Sequence, residues 1–142
     1  MKIKRVLTVL LCCMVASPVL ADTIRDEYGN PLGSVSGSDS GRKTYHDRHG
    51  NMKGSSRADS SGATTYHDQY GNIQGRSRTD LGGETTFSDE YGNVQGRAKT
   101  DSSGKTTFRD QYGNLKGTAT IDSSGNKVYR DKYGNKVASM NK

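Results

Sequence analysis

Two alternations of apolar and polar residues recur along the chain. The longer runs over about seven residues with period two, and one of its faces reads Met52, Gly54, Ser56, Ala58; Ile73, Gly75, Ser77, Thr79; Val94, Gly96, Ala98, Thr100; and Leu115, Gly117, Ala119, Ile121. The other face reads Lys53, Ser55, Arg57; Gln74, Arg76, Arg78; Gln95, Arg97, Lys99; and Lys116, Thr118, Thr120. Residues two apart share one side of a strand, so each run predicts a strand with an inward face of aliphatic and small residues and a cationic face in water. The shorter alternation, about five residues, carries one ring each at Tyr45, Tyr66, Phe87, Phe108 and Tyr129, preceded in four cases by Thr44, Thr65, Thr86 and Thr107. These rings are expected on the buried face over Gly54, Gly75, Gly96 and Gly117, whose missing side chains leave room. No segment carries a helical period.

Turn signals separate the runs. Asp26, Asp47, Asp68, Asp89, Asp110 and Asp131 recur at a constant step of twenty-one, each opening an Asp-x-x-Gly followed by Asn. A second series, Ser38-Asp39-Ser40-Gly41, Asp59-Ser60-Ser61-Gly62, Asp80-Leu81-Gly82-Gly83, Asp101-Ser102-Ser103-Gly104 and Asp122-Ser123-Ser124-Gly125, lies between them. Asp at the first place and Gly at the fourth suit a type I turn, with the carboxylate bonding the backbone and Gly taking positive φ. The reading is an all-β domain of tandem 21-residue β-hairpins, an antiparallel meander of about ten strands plus a terminal half-unit that either closes or coils as a solenoid. The units number five from Asp26, and residues 131–142 form the half-unit, with Val137 as a candidate buried cap. An odd step in a period-two structure requires one out-of-phase residue per unit, expected as a bulge at one of the turns.

The first 21 residues read differently. Lys2, Lys4 and Arg5 precede an apolar run from Val6 to Ala16 and a small-residue site at Val19-Leu20-Ala21, the pattern of a signal peptide cleaved after Ala21. The expected localisation is periplasmic or secreted, with no transmembrane segment after cleavage. Cys12 and Cys13 both fall in this segment, so residues 22–142 contain no cysteine and the domain relies on ladders and side-chain packing. Loss of the three basic residues lowers the net charge from +6 to +3, a mild excess that does not call for nucleic acid.

Candidate chemistry is sparse. The turn tyrosines Tyr28, Tyr70, Tyr91, Tyr112 and Tyr133, with His49 in the second place, form a row suited to stacking on sugar rings or other flat ligands, or to packing as a structural ladder. The cations Arg57, Arg76, Arg78, Arg97 and Lys99 suit an anionic polymer, or are a solvated face. The aspartates are expected to cap their own turns and to need no cofactor; a calcium ladder is the alternative. His46, His49 and His67 show no metal-ligand spacing. No enzyme is expected, because no cysteine nucleophile remains and every Ser lies in a repeated turn or arm without a distinct His and Asp set.

The run Tyr66-His67-Asp68-Gln69-Tyr70-Gly71-Asn72-Ile73-Gln74-Gly75 resembles the tandem β-hairpin repeats of bacterial surface proteins. Its rhythm is similar to the choline- and glucan-binding repeats of cell-wall-binding modules, and more loosely to YD and β-flower-like repeats. Choline cages use Trp and this chain has none, so the resemblance implies the hairpin architecture. The functional expectation is non-enzymatic binding of cell-envelope polysaccharide or a surface protein. The alternatives are a structural repeat that self-associates through its strand edges and a calcium-stabilised secreted repeat.

Overall fold

In the turn at Asp68, the amide of Gly71 donates to the Asp68 carbonyl at 3.2 Å and the amide of Asp68 donates to the Asn72 carbonyl at 2.9 Å. Gly71 takes a φ of 90°, open to glycine and strained for other residues. The same pair of bonds closes the second series, as at Asp101, Gly104 and Lys105. These local closures set the strands antiparallel before any distant contact is made.

A computed structural model of the chain describes residues 22–37 and 41–141; the expected signal peptide, residues 38–40 of one turn, and Lys142 lie outside the described residues. Twelve strands follow in order: β1 (Asp22–Asp26), β2 (Pro31–Gly37), β3 (Arg42–Asp47), β4 (Met52–Ala58), β5 (Ala63–Asp68) and β6 (Ile73–Thr79). The second half comprises β7 (Glu84–Asp89), β8 (Val94–Thr100), β9 (Thr106–Asp110), β10 (Leu115–Ile121), β11 (Lys127–Asp131) and β12 (Lys136–Asn141). Each pairs with its sequence neighbours, and β12 pairs with β1, so the meander closes into a barrel. Closure completes the terminal half-unit: β12 takes β1 as its partner, and a sixth unit is split between the chain ends.

The interior is built from staggered rows. Asp22, Val35, Tyr45, Gly54 and Asp68 stand opposite one another across five strands. Twenty-one residues on, Lys43, Ser56, Tyr66, Gly75 and Asp89 repeat the row. The last row, Lys127, Met140, Ile24, Gly33 and Asp47, crosses the seam. Tyr45, Tyr66, Phe87, Phe108 and Tyr129 are all buried, as expected, with Ile24 as the sixth of the series. Phe108 and Tyr129 stack with centroids 6.4 Å apart.

Two expectations are corrected. The out-of-phase residue is present once per hairpin, but in the ladder of the long arm: Tyr66 pairs with Gly75 while His67 pairs with Ile73, leaving Gln74 extra. The turns keep register parity, because Asp faces the residue four places on; the ladder bulge alone absorbs the odd step. It also reverses the face ahead of it. Met52, Ile73, Val94 and Leu115, expected inward, therefore lie outside, 37–39% exposed. Val137 sits at the same bulge place and is half-buried against the core.

The second correction concerns the glycines. Each does stand opposite a ring, as Gly75 does Tyr66. A Cβ at Gly75, however, would first collide with the backbone carbonyl of Ser88 on the following strand, and at Gly54 with that of His67. Close approach of the neighbouring backbone, as well as the ring, demands glycine.

Candidate binding surfaces

A meander alternates its turns between the two barrel ends, so all six Asp-x-x-Gly-Asn turns share one rim. Tyr28, Tyr70, Tyr91, Tyr112 and Tyr133 are 77–82% exposed there, and His49 fills the remaining place. Neighbouring hairpins are two strands apart, which spaces the rim positions by about 10 Å. The sequence-predicted tyrosines are thus brought together on one end of the molecule.

Their backbones are held by the aspartate two residues earlier. Asp68 Oδ1 accepts from the amides of Tyr70 at 2.8 Å and Asn72 at 2.9 Å, and Asn72 Nδ2 donates to Asp68 Oδ2 at 2.9 Å. The Asn side chain, followed by backbone amides, holds the Asp68 and Asp89 carboxyls below the ordinary carboxylate range. At Asp47 donation from Asn51, and from the backbone and Lys53 besides, lowers the value to about 2. Three turns gain a further brace from Arg25, Arg109 and Arg130, whose Nη1 atoms donate to the carbonyls of Gly29, Gly113 and Gly134. The rim therefore displays flat aromatic rings on rigid mounts. On the same rim, a hydrogen bond with Glu90 pushes the Tyr91 hydroxyl above its usual range, and Lys132 Nζ lies 4.9 Å from the Tyr133 ring centroid.

The predicted cations are elsewhere. Arg57 on β4, Arg76 and Arg78 on β6, and Arg97 and Lys99 on β8 are exposed on the outer wall. The ten predicted residues thus form two surfaces, an aromatic rim and a cationic wall. Arg97 Nε lies 3.7 Å from Glu84 Oε1, and both line a shallow depression of about 230 Å³ with Lys99, Thr107 and Arg109. The exposed aliphatics Met52, Ile73, Val94 and Leu115, next to the rim, were missed as surface residues; only the ladder bulge reveals them.

The buried polar pairs were also missed. Tyr45 Oη lies 2.8 Å from Ser56 Oγ and Tyr66 Oη 3.0 Å from Ser77 Oγ. The matching places hold Phe87 and Phe108, with Ala98 and Ala119 eleven residues on, all four buried. The signal was legible at four of the five ring positions: Tyr45 and Tyr66 are followed eleven residues on by Ser, and Phe87 and Phe108 by Ala, whereas Tyr129 is followed by Met140.

Among the described residues no group of three or more His, Cys, Asp or Glu is placed to hold a metal ion. The turn carboxylates that a calcium ladder would use are engaged in their own turns. No described helix is long and apolar enough to cross a membrane. The strands of five to seven residues fall short of the ~9–11 that a spanning strand needs.

No protein family matches the sequence, and no curated protein matches it. Among solved structures it is similar to BamB from Moraxella catarrhalis, with 11% identity, a TM-score of 0.35, and coverage of 80% of this chain and 58% of that one. The likeness is too slight to carry an argument about fold or function, and this chain spans less than two thirds of BamB.

Proposed function

We propose that the protein is an exported, non-enzymatic binding protein of the periplasm or cell exterior, and that its recognition surface is the tyrosine rim. The envelope polysaccharide is the ligand the chemistry favours, with a surface protein as the alternative occupant. The observation that carries this reading is the exposure of five tyrosines at equivalent places of one rim. An exposed ring gains little for the fold, whereas a row of them at fixed spacing offers several apolar faces to a polymer of flat rings. Two-χ side chains on braced turns also lose little entropy on binding. Self-association by strand pairing has less support, since β1 and β12 occupy one another's edges.

The test is co-sedimentation with insoluble peptidoglycan, with and without lipopolysaccharide, across a salt series. Rim binding persists at high salt and is lost in a Tyr70→Ala, Tyr91→Ala, Tyr112→Ala variant that melts like the parent. Binding that survives in this variant overturns the rim as the site; absence of binding at any salt overturns the polysaccharide reading in favour of a protein partner.

A further inference from the structure

The six-fold repeat supplies its own control. Positions that build the fold recur in every copy: the turn Asp, the turn Gly and the Asn. On the outer wall the long arms break this symmetry. Their two outward places after the bulge hold Ser55 and Arg57 on β4, Arg76 and Arg78 on β6, and Arg97 and Lys99 on β8. The equivalent places on the other three long strands hold Ser34 and Ser36, Thr118 and Thr120, and Ser139 and Asn141. At these two places five cations thus stand on three consecutive long strands, and none on the other three. Short polar residues serve the fold equally well there, so folding does not account for the cations.

We propose that the wall over β4, β6 and β8 is a binding site, separate from the tyrosine rim, for a flexible linear polymer of phosphate groups. Thr65 stands opposite both Arg57 and Arg76, and Thr86 opposite both Arg78 and Arg97, so two slanting rows alternate arginine with a threonine hydroxyl. Arginines in a row are two strands, about 10 Å, apart. Four of the five cations are Arg, whose planar fork matches phosphate oxygens in pairs. The wall's own carboxylate is Glu84, 3.7 Å from Arg97; Asp59, near Arg78, and Asp101, which lines the depression with Arg97 and Lys99, are engaged in their own turns. Arg109 stands opposite Arg97 but braces its turn, so it is left out of the set. Curvature selects the form of the ligand. With twelve strands around the barrel, β4 to β8 spans about a third of the circumference. A flat bilayer touches one or two of these strands at a time, whereas a flexible chain follows all three.

The test uses inorganic polyphosphate as the probe, titrated against the purified protein in a salt series. Tight binding is expected, with a salt slope of about 0.7 per neutralised charge. The variant Arg76→Ser, Arg97→Thr, which installs residues of the kind on the other half, should bind at least tenfold more weakly with a shallower slope and an unchanged melting temperature. Thr118→Arg with Thr120→Arg, which extends the rows onto β10, should bind more tightly. Tyr70→Ala with Tyr91→Ala should leave the affinity within about twofold; its loss would merge the two surfaces and overturn the inference. So would undiminished binding by the arginine variant, an equal loss on changing Lys136→Asn on the far wall, or equal affinity per phosphate for phosphatidylglycerol vesicles.

Discussion

Two sectors of the barrel solve one packing problem with different chemistry. In β3 to β6 the rings are Tyr45 and Tyr66, each with its hydroxyl on the serine eleven residues later. In β7 to β10 they are Phe87 and Phe108, with Ala98 and Ala119 in the places of the serines. All four rings are 7–8% exposed, so depth does not separate the sectors. A buried hydroxyl needs a partner, and a methyl in the serine's place requires that the hydroxyl vanish as well. Between these two sectors the unit of exchange is therefore the pair, while the backbone slot stays the same; the copy at Tyr129 departs from it, with Met140 in the serine's place.

The substitution with the largest expected effect should leave the two sectors alike. Gly75→Ala and Gly96→Ala each drive a Cβ into the carbonyl of the next strand, at Ser88 and Arg109. Each should cost about 3 kcal/mol or more in denaturant unfolding; a loss below about 1 kcal/mol would show that the sheet yields freely. The next effect separates the sectors. Ser77→Ala removes the hydroxyl that lies 3.0 Å from Tyr66 Oη and should cost about 1–3 kcal/mol, with most recovered in Ser77→Ala, Tyr66→Phe. In the other sector Phe87→Tyr should destabilise, and Ala98→Ser should rescue it. Additive effects in either double mutant would break the pairing rule.

Smaller effects belong to the surface. Ile73→Thr should change stability by less than about 0.5 kcal/mol, because the bulge places Ile73 outside; a loss of ~2 kcal/mol would restore it to the core. Acid acts on both sectors through the turns. The folded aspartates are held below their ordinary range, Asp47 at about 2 by Asn51 first, so their stabilisation is complete above the unfolded value near 4. The melting temperature should hold between pH 7 and 5 and fall as the pH drops from about 4 towards 2; Asp47→Asn should flatten part of that fall. The smallest expected effect is that of a chelator. With the carboxylates engaged in their own turns, EDTA should leave the melting temperature unchanged, and a drop of several degrees would reinstate the calcium ladder.

Much of this architecture is legible in the chain itself. The step of twenty-one from Asp26, the Asp-x-x-Gly turns and the buried series from Tyr45 to Tyr129 follow from local rules, because a turn closes within five residues and a ring's burial follows from its strand's alternation. The tyrosine row is legible for the same reason, since a residue at a fixed place in every turn must reach the same rim. The pairing of Tyr45 and Tyr66 with Ser, and of Phe87 and Phe108 with Ala, is written there too, at a spacing of eleven.

Three things were decided by the tertiary structure. The bulge at Gln74 and its equivalents arises where two strands match their hydrogen bonds, so the outward turn of Ile73 cannot be read from either strand alone. The need for glycine at Gly75 comes from the Ser88 carbonyl, on the strand where Asp89 faces it, which becomes a neighbour only when the next hairpin docks. Closure is the third. The twist and stagger of each hairpin are local and small, but whether they bring β12 back to β1 depends on their sum around all twelve strands. Local chemistry repeated six times thus sets the strands and turns, and the accumulated curvature makes them a barrel with an aromatic rim and a cationic wall over β4, β6 and β8.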